Sequence, residues 1–454
     1  MVTMRKELTM RESNDCHELT IHTSSLFDSK RKTFLSDTSL VVDTRTGLIT
    51  KTYQRDNDSI LPNHNVSSPT TIDLRGLTVL PGLVDAHTHI FLHSYKETPA
   101  LHQMRDESLV ERVVRATNHV RAALMAGYTT YRDLGTEGLR DADVHFRDTI
   151  NRGIIPGPRL FVATECIASS GGYEVRMENT LPGGAGATAP RISDPADGLW
   201  GVRAAVRRRL GAGADIIKFY ADYRKRPLRF PQGGWPGQCP VQFPPSGDLL
   251  YGDRNPNVLL FAQQEMDAMV DEARRSGAPI CAHAQSPEAV VMAARAGVTS
   301  IEHGAWPSHE AIRAMREHGN IFVPTLAVFD QELNDGSEVN ERHRKAILAH
   351  SKAAFDAGVK IACGGDTGAF AHGDNARELE LLVEAGIPLL DVLQGATLHG
   401  WEACGGDLCG RRFGYLQPGW AADIVAFKGD PREDLGVLRR PAFVMKDARV
   451  YKQS

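Results

Sequence analysis

The sequence has no long apolar run, no excess of one charge and no closely spaced set of cysteines. No stretch of its 454 residues approaches the roughly 20 apolar residues that cross a bilayer, and the charged start lacks the apolar segment of a secretory signal. The net charge of −4 favours neither nucleic acid nor an anionic membrane as a partner. Seven widely spaced cysteines do not form a disulfide framework, so a reducing, cytoplasmic setting is expected.

The two ends of the chain share a strand-forming composition. Residues 17–80 are rich in Thr, Val, Ile and Asp, and residues 405–454 contain short apolar segments of the same kind. These patterns predict one small β-sandwich domain built from both ends, preceded by a flexible tail over residues 1–16.

Residues 81–404 alternate strand and helix patterns with short connections, which is typical of parallel βα units. Helical patterns, for example over His343–Ala357, separate the strands. The eight candidate strands are Thr78–Asp85, Tyr128–Asp133, Arg159–Ala163, Asp215–Tyr220, Pro279–His283, Ser300–Glu302, Ile321–Pro324 and Val359–Cys363. Closing eight such units removes both sheet edges, so the prediction is an α/β fold with a (β/α)8 TIM-like barrel.

One connection is much longer than the others. Residues 223–257, after the fourth strand, are rich in Pro and Gly. On a barrel this segment leaves from the C-terminal face, where active sites lie. A lid or substrate-contact role is expected, and a floppy insertion is the alternative.

Two histidines follow the first barrel strand. His87 and His89 are one residue apart, so the alternation of a strand points both imidazoles to the same side. Two converging imidazoles are half of a site for Zn²⁺ or a similar divalent ion. On its own, a His-x-His pair at a strand end would more often only hydrogen-bond its neighbours.

Further metal-ligand residue types occupy matching positions on other strands. His283 ends the fifth candidate strand, His303 follows the sixth, and Asp366 follows the eighth. Because the C-terminal ends of barrel strands converge, these side chains are expected to meet.

Lys218 lies in an otherwise apolar strand, where an ammonium needs a partner. One interpretation is an ion pair with Asp222 or Asp366. The other is a lysine carbamylated by CO₂, whose anion could bridge two metal ions.

Taken together, these residues resemble the amidohydrolase superfamily, over nearly the whole chain from about residue 20. In its binuclear members the His-x-His pair and the Asp hold one metal, the next two histidines hold the other, and a carboxylated lysine bridges both. The corresponding residues here are His87, His89, Lys218, His283, His303 and Asp366.

Residues 128–133, 217–224, 371–379 and 414–425 are similar to the imidazolonepropionase-like branch, which includes Xaa-Pro dipeptidases and ochratoxin-type amidases. Peptidase relatives often carry Gly-Gly-His after strand three, where this chain has Gly171-Gly172-Tyr173. A tyrosine cannot act like a histidine near neutral pH, which argues against a simple transfer of the peptidase substrate.

The resemblance implies a binuclear hydrolase that cleaves a peptide-like or N-acyl amino acid amide with a hydroxide shared between two divalent metal ions. Zn²⁺ is favoured, with Mn²⁺ or Fe²⁺ as alternatives. Asp366 would move the proton from the nucleophile to the leaving group. Lactone or cyclic-amide opening, decarboxylation or isomerisation of a specialised metabolite, and a non-catalytic scaffold remain alternatives.

A small-molecule substrate and a homo-oligomeric assembly are expected. Arg224 could pair with a substrate carboxylate or face solvent, and His372 could contact substrate or be a packed loop residue. The full set of candidate substrate-binding residues is Tyr173, Tyr220, Tyr223, Arg224 and His372.

Overall fold

The computed structural model describes residues 17–55, 70–172, 192–224, 257–306, 308–334 and 336–454. The strands are β1 (Glu18–Asp28), β2 (Thr33–Ser36), β3 (Thr38–Asp43), β4 (Leu48–Gln54), β5 (Thr71–Pro81), β6 (Leu83–Thr88), β7 (Tyr128–Asp133), β8 (Arg159–Val162), β9 (Cys166–Ala168), β10 (Ser193–Pro195), β11 (Ile217–Tyr220), β12 (Asp222–Arg224), β13 (Asn257–Leu259), β14 (Ile280–Ala284), β15 (Ser300–His303), β16 (Ile321–Val323), β17 (Lys360–Ile361), β18 (Ile424–Phe427), β19 (Pro441–Lys446) and β20 (Arg449–Gln453).

The α-helices are α1 (Ala100–Asp106), α2 (Leu109–Met125), α3 (Ala142–Asn151), α4 (Gly198–Gly211), α5 (Gln263–Arg275), α6 (Pro287–Ala296), α7 (His309–His318), α8 (Leu326–Leu333), α9 (Glu338–Asp356), α10 (Ala376–Glu384), α11 (Leu389–Gly395) and α12 (Leu398–Ala403). Short 3₁₀ helices span Gly406–Cys409 and Leu435–Arg439. None of these described helices has both the length and the apolar character needed to cross a membrane.

Two parallel sheets form the centre of the molecule, with strand orders β6-β7-β8 and β10-β9-β11-β14-β15-β16-β17. Backbone hydrogen bonds join them at two places. The amide of Asp215, before β11, donates to the carbonyl of Val162 in β8 at 2.9 Å, and the amide of Ala86 in β6 donates to that of Cys363 after β17 at 2.9 Å. The described chain is therefore α/β, with two parallel sheets that are linked by backbone hydrogen bonds.

The first predicted barrel strand, Thr78–Asp85, is corrected by the structure. It comprises the end of β5, in the terminal sheet, and the start of β6, in the parallel sheet. Gly82 lies at the change, and a Cβ there would overlap the side chain of Thr129. Because glycine has no Cβ, one extended segment can continue from the terminal sheet into the parallel sheet at this position.

Strands from both ends of the chain form the terminal sheet, in the order β20-β19-β18-β5-β1-β3-β4, with β2 paired to β1. A bridge from Leu48 to Ala421 ties the edge strand β4 back to the segment before β18. The small domain that the sequence predicts as a sandwich is thus one continuous sheet, and the bridge joins its strand β4 to the segment before β18. Val79, Ile424 and Phe443 belong to its buried core.

Local capping explains where several helices begin and end. The Ser286 hydroxyl accepts from the amide of Ala289 at the start of α6, and Gly297 ends that helix with φ 86°. The Ser337 hydroxyl caps α9 in the same way, so this helix begins five residues before the predicted His343. The helices cover the parallel strands and share one large apolar core with them.

Candidate metal centre

The parallel strands bring the predicted metal ligands together at their C-terminal ends. The pairing places Lys218 beside Cys281, Tyr220 beside His283 and Ala284 beside His303, so neighbouring strands end at a common level. The residues that meet there are His87 in β6, His89 just after it, Lys218 in β11, His283 in β14, His303 at the end of β15 and Asp366 after β17.

Asp366 lies against the histidines of the first strand. Its Oδ1 is 3.2 Å from His89 Nε2 and 3.7 Å from His87 Nε2. One ligand atom each from His87, His303 and Asp366 lies within 4.8 Å of the others, which is a spacing that one metal ion can bridge. The ring of His283 has its centroid 4.4 Å from that of His303.

Hydrogen bonds fix which nitrogen each imidazole presents to this space. His87 Nδ1 donates to Glu302 Oε2 at 2.8 Å, and His89 Nδ1 donates to the carbonyl of Gly135 at 2.9 Å. Because a carboxylate and a carbonyl only accept, Nδ1 carries a proton in both rings, and Nε2 of His87 keeps its lone pair for a ligand. Nε2 of His89 lies 3.2 Å from Asp366 Oδ1 and becomes a ligand only after it loses its proton. His303 has Nδ1 2.9 Å from Thr325 Oγ1, so its Nε2 has a lone pair for a ligand when that hydroxyl accepts.

Two buried polar atoms of the cluster have no hydrogen-bond partner among the described residues. They are Nζ of Lys218 and Nε2 of His283, and Lys218 is only 2% exposed. Asp222 accepts instead from the amides of Gln285 and Ser286, so the alternative of a Lys218–Asp222 pair is not observed. Buried polar groups without partners are rare. A bound metal ion would take the lone pair of His283 Nε2. The Lys218 ammonium has no lone pair, so it could become a ligand only after conversion to an anion such as a carbamate.

The environment keeps most of these imidazoles neutral. Burial, and then the charge of Lys218, lowers the pKa of His87 to about 4, and burial lowers the pKa values of His283 and His303 well below their usual range. Burial also lowers the pKa of His89, but its hydrogen bond to Asp366 raises that pKa to about 9. His89 would therefore release a proton on binding a metal.

Local strain and a buried carboxylate hold the ligand loops in place. His303 and Asp366 have left-handed backbones, with φ of 74° and 62°, which persist only where the surroundings enforce them. Asp85 accepts from Thr367 Oγ1 at 2.7 Å and from Asn375 Nδ2 at 2.6 Å. These bonds tie the strand of His87 to the loop of Asp366.

A buried ion pair supports His87 from below. The guanidinium of Arg132 donates to Glu302 Oε1 at 2.8 Å, and both side chains are fully buried. Burial raises the pKa of Glu302, but Arg132 and His87 hold it well below its usual range. The charged carboxylate therefore orients the imidazole of His87 toward the ligand space.

The predicted substrate-binding residues are found in different places. The Tyr220 ring is 4.7 Å and the Tyr223 ring 5.4 Å from the His283 ring, so both border the cluster. His372 stacks on His119 at 4.3 Å and bonds the carbonyl of Leu92, as a packed loop residue does. Tyr173, the side chain of Arg224 and residues 225–256 of the long segment lie outside the described residues.

Several residues of the site were missed by sequence reasoning. Glu302, Arg132 and Asp85 are buried charges in strands that should be apolar, and this signal was available. Thr325 is brought to His303 by the segment after β16, and no pattern in the sequence indicated it.

Replacing Lys218 by Met should reveal its role through stability. In metal-free protein the variant should be more stable by about 1–3 kcal/mol, because an unpartnered buried ammonium is removed. The added stability on metal binding should shrink, because a ligand is lost. Urea unfolding with and without chelator measures both effects.

Lys428→Met, at an exposed lysine of the terminal sheet region, is the matched control and should change neither quantity. A Lys218→Met protein that binds and is stabilised by metal like the wild type would contradict the assignment.

The fold and this cluster define a class, an α/β protein with a buried histidine and carboxylate centre at the C-terminal ends of parallel strands. The chain belongs to the amidohydrolase family, whose family model matches residues 78–452. The resemblance to this superfamily is therefore confirmed.

Individual relatives agree with the branch expected from the sequence. The chain is 28% identical over 403 residues to ochratoxinase from Aspergillus niger, covering 82% of this chain and 75% of the relative. A Xaa-Pro dipeptidase with methionine bound in its active site superimposes with a TM-score of 0.74 at 29% identity, covering 96% of this chain and all of the other. The A. niger ochratoxinase structure gives 0.74 at 25% identity, covering 96% of each chain. Family and relatives together support a hydrolytic enzyme acting on amide bonds.

Proposed function

We propose that this protein is a metal-dependent hydrolase that cleaves an amide bond of the peptide-like or N-acyl amino acid type. The observation that carries the proposal is the convergence of buried imidazoles on Asp366, with His283 Nε2 and Lys218 Nζ left without partners in the described part of the chain. The relatives' names support the bond type, since one is a dipeptidase and one an ochratoxinase.

The donor set suits two divalent ions, with Zn²⁺ favoured by its histidines and Mn²⁺ or Fe²⁺ as alternatives. His87, His89 and Asp366 would hold one ion, and His283 and His303 the other. Carbamylated Lys218 would lie between them. When bound, such ions supply Lewis acidity to a carbonyl and lower the pKa of water to about 7.

Asp366 is the residue that we propose moves the proton. Its side chain is 18% exposed, against 2% for His87 and 9% for His89, so it faces the space that substrate and water can reach. His89 holds its carboxylate through Nε2, at 3.2 Å from Oδ1. A carboxylate so placed can take a proton from water and return it to the departing nitrogen.

Tyr220 and Tyr223 would contact the substrate beside His283. Their rings pack perpendicular to each other, with centroids 5.5 Å apart. An amide positioned against these rings would have its carbonyl near the imidazole cluster. The buried strand ends on the other side of the cluster would exclude bulk water from it.

The proposal is tested by product analysis in ¹⁸O-labelled water. Metal-loaded protein is offered N-acyl amino acids, Xaa-Pro dipeptides, aryl amides and lactones. We expect turnover of amides, with one solvent oxygen in the carboxylic product. Product without the label would indicate a non-hydrolytic reaction, and turnover confined to lactones would contradict the amide assignment.

A further inference from the structure

The loop after β6 is firmly built. Gln103 of α1 is completely buried, and its amide nitrogen donates to the carbonyls of His93 and Thr98 at 2.7 and 2.6 Å. Its amide oxygen accepts from the amide of His93 at 2.9 Å. His93 is held further by Glu107, at 2.7 Å. A loop pinned at both ends by one buried glutamine presents its side chains in fixed directions.

Tyr95 is carried by this loop and lies beside the metal cluster. Its amide donates at 2.8 Å to the carbonyl of Ala369, three residues after Asp366. Its half-buried ring packs against the same apolar cluster as Tyr223. That cluster contains Leu92, Met104, Cys166, Ala168, Ile192 and Tyr220. Tyr95 therefore lies on the side of Asp366, while Tyr220 and Tyr223 lie beside His283.

The hydroxyl of Tyr95 makes no hydrogen bond to any described residue. Burial, and then the negative charges of Asp366 and Glu137, raise its pKa well above the usual range, so it stays a neutral donor. A loop fixed this precisely, with its donor uncommitted at the site, is suited to a substrate contact.

We propose that Tyr95 contacts the substrate. With Tyr220 and Tyr223 it forms an aromatic wall, which selects amides that carry a planar aromatic group, and its hydroxyl donates a hydrogen bond to such a substrate. This inference rests on the proposed function for the presence of an amide at the metal cluster. Planar groups pack well between tyrosine rings, where offset and edge contacts add to simple burial.

Hydroxamic acids test the aromatic wall without any turnover, because they bind through metal ions. We expect zinc-loaded wild-type protein to bind benzohydroxamate about tenfold more tightly than acetohydroxamate, the order expected for burying a phenyl ring in place of a methyl group. Tyr95→Ala should reduce this preference to less than about threefold, because the ring is absent. Calorimetry gives both affinities, and metal content is measured in each variant.

The hydroxyl is tested separately by Tyr95→Phe on the amide that the wild type hydrolyses best. Loss of one neutral hydrogen bond should raise KM by about two- to tenfold, with kcat little changed, as for a contact made equally in the ground and transition states. Tyr53→Phe, in β4 of the terminal sheet, is the matched control and should change neither constant.

A wild-type preference that survives unchanged in metal-loaded Tyr95→Ala would overturn the inference, and so would a wild type with no preference. If no amide is turned over but the hydroxamate preference depends on Tyr95, the proposed function fails while the aromatic wall stands. If amides are turned over but the hydroxamate preference does not depend on Tyr95, the proposed function stands and the aromatic wall fails.

Discussion

Asp366→Asn should lower kcat for the hydrolysed amide by at least about a thousandfold, within the range that general acid–base groups contribute. The carboxylate has its Oδ1 3.2 Å from His89 Nε2 and is the most exposed of the three groups that meet there. An amide keeps the shape and one ligand oxygen but cannot accept and return a proton.

Asparagine is the appropriate replacement because residue 366 has a left-handed backbone conformation. Asp366 has φ 62°, and asparagine is among the residues that tolerate this left-handed conformation. The variant should therefore fold and bind metal, which metal content and thermal unfolding check. Asp37→Asn is a matched control, since Asp37 also has a positive φ, of 44°, but lies in the terminal-sheet region. Retained turnover by a metal-loaded Asp366→Asn protein would eliminate the assigned role.

The second large effect is expected for Arg132, whose ion pair with Glu302 lies behind His87. Arg132→Met should reduce the free energy of unfolding by about 3–5 kcal/mol, because it leaves a buried carboxylate without its partner. Arg132 also donates to Ser300 Oγ at 2.7 Å and to the carbonyl of Ala403 at 3.0 Å. The substitution therefore breaks a network in which Glu302, Ser300 and the strand of His87 are joined.

A double variant separates stability from ligand positioning. Arg132→Met with Glu302→Leu removes both charges, so it should recover much of the lost stability. It should still bind metal about 10- to 100-fold more weakly, because His87 Nδ1 has lost the carboxylate that orients it. Unfolding by urea and metal titration provide the two readouts. A double variant with wild-type metal affinity would contradict the role given to Glu302.

The proposed metal ligands lie close together, as expected from the sequence, because strand ends are predictable. Tyr128–Asp133 is a strand in both prediction and structure, and His283 and His303 end strands that pair in register. Parallel strands necessarily bring such residues to one edge. No knowledge of side-chain packing was needed for this step.

The parts that could not be predicted depend on contacts between distant segments. Glu302 is joined to His87 across 215 residues of sequence, and Asn375 to Asp85 across 290. Tyr95 reaches the site only because Gln103 and Ala369 hold its loop. The link from β4 back to the segment before β18 depends on the bridge between Leu48 and Ala421, which strand patterns alone do not specify.

Removal and return of metal tests the central claim most directly. Purified protein should carry about two divalent ions per chain. A chelator should abolish amide hydrolysis without unfolding the protein, and added Zn²⁺ or Mn²⁺ should restore it. A folded protein that hydrolyses amides at an unchanged rate after complete metal removal would contradict the account.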